Sequence, residues 1–541
     1  MAKVFALVFV TAFLSCGILA QRTHATATSC EGLAQLALPE AKIKSAQTVA
    51  AGGFSPPTNV TPWLAGDASF YKLLPAFCRV TVEARPSDDS HIKIEVWMPI
   101  SGWNGKFQGQ GNGGFAGEIG YHLIGLAIGQ GYAAAGTDTG HSGSGIDAKW
   151  ALGHPEKVID FGYRGIHEMT KIAKVTTAAF YGKKPRYSYF AGCSNGGRQA
   201  LMEAQRFPED YDGILAGAPA NFWTHLLASA VWNAQATTLD QASYIPSGKL
   251  PAIAGAVNDA CDPEDGVSDG ILNDPRQCHF DPRALLCKEG DSDKCLTAAQ
   301  VTALKKLYEG ARDSRGGKIF PGLLPGAEEG RGGWALWITG QTSGKSLLFS
   351  FGSGYFSNMV YDKNDWDYRD VNLDQATKAA DDKTAQTLNA IDPNLKPFKA
   401  LGGKLILYHG WNDPAISALN TIDYYNSVVN TMGQQAADAF VRLFMVPGVQ
   451  HCGDGPGPDS FGQPGTSTAK DSQHNIQLAL EHWVEKGAAP SMIIATKYVN
   501  DDPTKGIRMT RPLCPYPQSG KYNGIGDKND AGSFACGPRI N

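Results

Sequence analysis

Two atoms in the stretch F-A-G-C-S-N-G-G-R, residues 190–198, could attack a carbonyl carbon: the sulfur of Cys193 and the hydroxyl oxygen of Ser194. Gly192-Cys193-Ser194-Asn195-Gly196 fits G-x-S-x-G, the pattern of a serine held on a sharp strand-to-helix turn. A hydroxyl becomes a nucleophile when a histidine takes its proton and a carboxylate fixes the histidine's tautomer. Both partners follow in the order Ser…Asp…His. Asp413 comes just after the apolar run Lys404–His409, and His451 just after the run Val441–Val446. Taken singly, each has a plainer reading: Ser194 as a helix cap, Asp413 as a turn residue before Pro414, His451 as a polar loop side chain. The ordered set is what points to acyl transfer. Cys193 directly precedes the serine, and Cys452 directly follows the histidine. If Ser194 and His451 meet, their neighbours approach too, and a disulfide needs Cα atoms about 4.4–6.8 Å apart. A Cys193–Cys452 bridge is therefore expected. The competing readings are two unrelated buried thiols, or a thiol enzyme built on Cys193.

These residues need a frame. Strand-like runs recur at His91–Met98, Lys106–Gln108, Tyr132–Gly136, Arg186–Ala191, Ile214–Ala218, Lys404–His409 and Val441–Val446. Helical patterns lie between them, as at Gly165–Phe180 and Gly197–Phe207. Strands alternating with helices predict an α/β fold with a parallel sheet covered on both faces. The proposed serine, aspartate and histidine all follow strands, where ligand-binding loops of such sheets belong. Residues 221–399 break the rhythm with cysteines, an acidic loop and many aromatics, and are read as one inserted lid. The sheet domain is then split into residues 26–220 and 400–541.

The chain has 541 residues, 43% hydrophobic and 18% charged, with a net charge of −4. That is ordinary globular composition, and it argues against nucleic acid as a partner. Lys3 precedes an apolar run, Val4–Leu14, and small residues follow at Ala20 and Ala25. Residues 1–25 read as a secretory signal peptide, too short to span a bilayer comfortably, so a secreted or periplasmic chain without stable membrane insertion is expected. Of eleven cysteines, removal of Cys16 with the signal leaves ten, and no C-x-x-C pair occurs. An even count on an exported chain favours disulfides over zinc thiolates.

The motifs Cys193-Ser194, Asp413 and His451-Cys452 together resemble the CS-D-HC signature of the tannase and feruloyl esterase family of α/β-hydrolases. Supporting stretches are Trp103-Asn-Gly-Lys-Phe, Gly136-Thr-Asp-Thr-Gly-His, Leu407-Tyr-His-Gly-Trp, Val446-Pro-Gly and Arg511-Pro-Leu-Cys-Pro-Tyr-Pro. The resemblance runs from about Cys30 to Cys536. It implies an α/β-hydrolase fold with a large inserted lid domain, and a serine esterase. It also implies an oxyanion hole from the N–H groups of Asn195 and Gly114, with Gly113 as the alternative to Gly114. The further disulfides it implies are Cys30–Cys78, Cys261–Cys278, Cys287–Cys295 and Cys514–Cys536.

Two features of residues 221–399 complete the reading. Asp262-Pro-Glu-Asp265-Gly-Val267-Ser-Asp269-Gly-Ile271 concentrates carboxylates on a turning backbone. Asp262, Asp265 and Asp269, with the carbonyls of Val267 and Ile271, could hold a calcium ion; the alternative is a solvated acidic turn. The family resemblance implies a structural Ca2+ there, and no organic cofactor. The segment also holds Trp334, Trp337, Phe349, Phe351, Tyr355, Phe356 and Trp366, which suit an aromatic acyl group or a plain core. By the resemblance, Tyr355 and Phe356 are expected to bind substrate. Terephthalate monoester hydrolases of the family bind the substrate carboxylate with a lid arginine. Phe351 aligns there, and no arginine lies between Lys345 and Asp367. The expected substrates are therefore feruloyl-type hydroxycinnamic esters. Galloyl esters and terephthalate monoesters are alternatives, as is a non-catalytic binding protein on the same fold.

Overall fold

The computed structural model describes Met1 and residues 27–466 and 469–538; apart from Met1, the expected signal peptide lies outside the described residues. Nine strands build the main sheet: β1 (Ala41–Val49), β2 (Phe77–Ala84), β3 (Ile92–Pro99), β4 (Lys106–Gln110), β5 (Ala133–Thr137), β6 (Tyr187–Cys193), β7 (Gly213–Gly217), β8 (Lys404–Gly410) and β9 (Val441–Val446). Their order is β1-β2-β3-β5-β4-β6-β7-β8-β9. From β5 to β9 every pairing is parallel. β1, β2, β3 and β5 pair antiparallel, which corrects the expectation of a wholly parallel sheet. The reason is legible in β2: Val80 and Val82 are buried, while Arg79, Thr81 and Glu83 between them are half-exposed. Such alternation belongs to a strand with one face in contact with solvent, and these pair antiparallel.

The parallel strands are apolar on both faces. Leu405 and Leu407 of β8 enter one core cluster with Phe190 and Leu443, and Ile406 and Tyr408 enter the other with Leu215 and Phe444. Successive side chains of a strand point to opposite faces, so one short run feeds two cores.

β7 and β8 are neighbours in space, yet the segment 218–403 runs between them. This insertion carries the helices Trp223–Thr238, Leu250–Cys261, Ala298–Glu309, Leu347–Tyr355 and Leu373–Leu388. Part of it has its own core, with Ile253, Val257, Leu304 and Trp334. The rest shares a core with the sheet domain, where Trp223 and Leu388 meet Phe115, Phe161 and Ile416. That shared core seats the insertion over the loops leaving β4 and β8.

The chain closes with two hairpins, β10 (Ile493–Tyr498) with β11 (Ile507–Leu513), and β12 (Ser519–Tyr522) with β13 (Phe534–Gly537). Five disulfides pair every cysteine of the described residues: Cys30–Cys78, Cys193–Cys452, Cys261–Cys278, Cys287–Cys295 and Cys514–Cys536. Among the described residues, no helix is long and apolar enough to cross a membrane.

Candidate active site

β6 delivers the chain to Ser194, whose backbone sits at φ 64°, ψ −123°, a region that residues with a side chain rarely enter. Three hydrogen bonds hold it there. The Ser194 N–H donates to Gly217 O at 3.0 Å, and the N–H groups of Arg198 and Ala220 each donate to Ser194 O at 3.1 Å. The flanking glycines are required by close approach. A Cβ at Gly192 would lie 2.5 Å from Gly196 O, and one at Gly197 would lie 2.2 Å from Gly217 O. Ser194 thus stands at the head of the helix Asn195–Arg206, whose first N–H groups have no partner within the helix and point toward the same space.

β8 and β9 lie two and three strands along from β6, and their exit loops carry Asp413 and His451. His451 Nδ1 donates to Asp413 Oδ2 at 2.8 Å. That leaves Nε2 as the free acceptor of the ring. Trp337 packs its ring 4.9 Å from the imidazole in an edge contact and fixes its plane. Asp413 is buried, and Oδ1 accepts the N–H groups of Ala415 and Ile416 at 2.8 and 3.0 Å. Oδ2 accepts a second imidazole, His409 Nε2, at 3.1 Å. Burial alone would raise the Asp413 pKa. The charge of His451 and hydrogen bonds from His409 and His451 outweigh it and hold the carboxyl well below the usual range.

Cys193 and Cys452 are bonded, with sulfurs 2.04 Å apart and Cα atoms 5.9 Å apart. The bridge fastens the serine's turn to the histidine's loop. A sulfur so bonded is no thiolate, so of the two candidate atoms in the stretch the disulfide occupies one and leaves the Ser194 hydroxyl.

The loop leaving β4, the sheet neighbour of β6, supplies the opposite wall. The Gly111 N–H donates to Ala191 O at 3.0 Å, and the Asn112 N–H donates to Gln199 Oε1 at 2.9 Å. Gly114 has φ 54°, and a Cβ there would lie 2.2 Å from Gly145 O. His141 supports the turn from behind: its Nε2 lies 2.8 Å from Phe115 O, and its ring stacks on Trp150 at 3.7 Å. Burial lowers the His141 pKa to about 4, so the ring is neutral. On the serine side, Asn195 Oδ1 accepts from Arg198 Nε at 2.9 Å. Arg198 is wholly buried, donates also to the carbonyls of Phe161, Gly162 and Leu388, and lies over the rings of Phe161 and Trp223. This cation, which pattern reading missed, ties the serine's helix to the insertion.

Ser194, Asn195, Gly114 and His451 border one cleft. Its walls are apolar: Trp223, Leu226 and Leu227 from the first helix of the insertion, Trp337, Leu348 and Phe351 from its later part, and Ile416 beside the aspartate. Tyr355 and Phe356 are not on that wall, which corrects the expectation for these two residues. Both are 0% exposed. The Tyr355 hydroxyl bonds Thr384 Oγ1 at 2.6 Å, and Phe356 stacks on Trp366 at 5.3 Å. The helix Leu347–Tyr355 shows Leu348 and Phe351 to the cleft and spends its last turn in the core.

The acidic loop follows the helix Leu250–Cys261 and is pinned by Cys261–Cys278. Asp262 accepts the N–H groups of Asp269, Gly270 and Ile271, and Asp265 those of Val267 and Asn273. Asp269 pairs with Arg511. Burial, with Asp269 and Asp262 close by, raises the Asp265 pKa to about 6, and Asp269 is raised as well. An all-oxygen donor set on a tight loop, with carboxyls that repel one another, has the chemistry a hard cation relieves, although here the carboxylate oxygens accept backbone N–H groups. Asp269 Oδ2 pairs with Arg511, and its Oδ1 accepts the Ile271 N–H at 3.0 Å.

Comparison with known proteins identifies the family. The family described as tannase and feruloyl esterase matches residues 78–537. An uncharacterized esterase of Xanthomonas campestris is 42% identical, with 95% of this chain and 92% of that protein aligned. A probable feruloyl esterase B-2 of Aspergillus flavus is 36% identical over 81% of this chain and 83% of its own length. Among solved structures, feruloyl esterase B from Aspergillus oryzae superimposes with a TM-score of 0.84 at 30% identity, covering 94% of this chain and 99% of that one.

Proposed function

From the premise that this chain belongs to the tannase and feruloyl esterase family, and so is a carboxylic ester hydrolase with an α/β-hydrolase fold, we propose that it cleaves esters of aromatic acids through an acyl-enzyme on Ser194. Ser194 Oγ attacks the ester carbonyl as His451 Nε2 takes its proton. Asp413 holds the imidazole by Nδ1 and stabilises the imidazolium. The oxyanion receives the N–H groups of Asn195 and Gly114. His451 then protonates the departing alcohol, and water repeats the sequence on the acyl-enzyme.

The observation that carries the substrate reading is the cleft itself. Its lining places Trp223, Trp337 and Phe351 around the serine and, apart from His451, contains no ionisable side chain. Flat apolar walls suit a neutral aromatic acyl group. A feruloyl-type hydroxycinnamoyl group fits this description. A terephthalate monoester would bring a carboxylate into a cleft with no cation to receive it, at a large desolvation cost. Galloyl esters remain inside the same chemical class. The test is kcat/KM over methyl ferulate, methyl gallate and a terephthalate monoester, with Ser194→Ala beside the parent. The expected order is ferulate first and the terephthalate monoester last, with turnover abolished in the variant. Full turnover by Ser194→Ala would overturn the mechanism, and a preference for the charged monoester would overturn the reading of the cleft.

The same proposal includes residues 221–399 as a lid and residues 1–25 as a signal for export to the periplasm or beyond. Five disulfides support an oxidising destination. It also includes a calcium ion held by Asp262, Asp265 and Asp269 with the carbonyls of Val267 and Ile271. The ion would neutralise the crowded loop and steady the insertion, with no part in the reaction.

A further inference from the structure

Asp413 Oδ2 serves two imidazoles, and the reaction described above uses only one of them. His409 is the fourth residue before the aspartate, in β8, and is 0% exposed. Its Nε2 lies 3.1 Å from Asp413 Oδ2 and 3.0 Å from Ile416 O. A nitrogen that faces two acceptors must carry a hydrogen. Its Nδ1 lies 2.7 Å from the Thr421 hydroxyl, on the helix Ala418–Met432, and a hydroxyl can donate. The neutral tautomer protonated at Nε2 therefore satisfies every contact of the ring.

Resting on the assignment of Ser194, Asp413 and His451 above, we propose that His409 is a positioning residue for ester cleavage: Thr421 sets its tautomer, and its Nε2–H holds Asp413 Oδ2 against His451 and tempers the basicity of the pair. The geometry gives two reasons. First, with Ala415 and Ile416 on Oδ1, and His409 and His451 on Oδ2, the carboxylate has four donors for its four acceptor sites. It cannot turn about its own axis without breaking bonds in a dry site. Second, each N–H donor draws charge from the carboxylate. Without His409, Asp413 would present more negative charge to His451 and favour its protonated form.

Among the described residues, the charged side chains on the elements packed around this pair are engaged elsewhere or exposed, and buried Glu328 is taken up by Tyr308 and the Gly326 N–H. β7 has no charged side chain, and Arg442 on β9 pairs with Ile406, toward the opposite end of the sheet from His409. On the helix behind, Asp423 is paired with Lys318, and the Tyr424 hydroxyl is engaged by Gln205 and Asp392. On the helix Ile476–Lys486, Glu481 and Glu485 are paired with Lys106, while His482 and Lys486 are exposed. In the histidine's loop, Asp454 is paired with Arg331.

The experiment measures kcat and KM on methyl ferulate from pH 5 to 9 for the parent, His409→Ala, His409→Gln, Thr421→Val and Ser194→Ala, each checked for a cooperative melt. For His409→Ala, kcat should fall roughly 10- to 100-fold with KM within about twofold, as expected when a group acts on the base and not on binding. The acidic limb of kcat/KM should move up by about half to one pH unit, because the imidazolium is better stabilised. His409→Gln, which returns an N–H toward Oδ2, should recover most of both. Thr421→Val, which leaves the imidazole in place, should move the limb the same way by less, and it carries the test if His409→Ala does not fold. An unmoved limb in a folded His409→Ala, or lost turnover with no recovery in His409→Gln, would overturn the proposal. Activity retained by Ser194→Ala would instead overturn the assignment on which it rests, so the two failures are distinguishable.

Discussion

Asp413 is buried and Asp265 half-buried, and the two carboxylates respond in opposite directions. Asp413 is held well below the usual carboxylate range, whereas Asp265 is pushed up to about 6. Burial raises both, so burial does not account for the difference. Asp413 faces two imidazoles and two backbone N–H groups, which favour its charge. Asp265 accepts two backbone N–H groups but faces Asp262 and Asp269, which oppose its charge. One region faces its carboxylate with donors and imidazoles, and the other sets carboxylates against one another with Arg511 as the cation beside Asp269.

The largest perturbation removes the charge at the first region. Asp413→Asn should lower kcat about 10⁴-fold while the fold survives, because the amide fixes the wrong tautomer of His451. Steady-state kinetics with a melting curve on the same sample would check it. A smaller effect is expected at the second region: chelation by EDTA should lower the melting temperature by roughly 5 °C, with kcat unchanged in the molecules still folded. If chelation abolished turnover without unfolding, the separation of the two regions would fail. The smallest effect concerns pH in the presence of chelator. Asp265 has its pKa raised from 3.8 to about 6, so its stabilising contribution is complete below pH 4 and is lost as pH rises through about 6. Asp413 is depressed, so its contribution is present above the ordinary carboxylate range and is lost only as pH falls below it. Asp265→Asn should therefore recover on the order of 2 kcal/mol at pH 7 without calcium, and lose that advantage when calcium is added. Chemical denaturation with and without calcium would read the sign.

The order of Ser194, Asp413 and His451, and the cysteine beside two of them, were legible because each lies at the end of an apolar run of strand length. Seven of the sheet strands could be read the same way. β1 and β2 were not read: Ala41–Val49 mixes small and polar residues, and β2 sets Arg79, Thr81 and Glu83 between its apolar positions. His409 was visible in Leu407-Tyr-His-Gly-Trp but had no spacing that assigned it a partner. Its role follows only when the turn Gly410–Asp413 folds the aspartate back onto its own strand. Arg198 gave no signal at all, since its partners are backbone carbonyls that any residue could supply. Tyr355 and Phe356 were misassigned because an aromatic helix in a lid has the same composition whether it faces a cleft or a core. One helical turn separates Phe351, at the cleft, from Tyr355, beneath it.

The Cys193–Cys452 bridge spans 259 positions of sequence, and the whole insertion lies within that span. A peptidase that nicks one of the insertion's exposed loops severs the polypeptide without separating its products. The fragment ending in the insertion still holds Cys193 and Ser194, the fragment beginning there still holds His451 and Cys452, and the two remain a single covalent molecule. The joint lies one residue from Ser194 and one from His451, so the insertion can be clipped with both halves of the proposed reaction centre still tethered at the point where they meet.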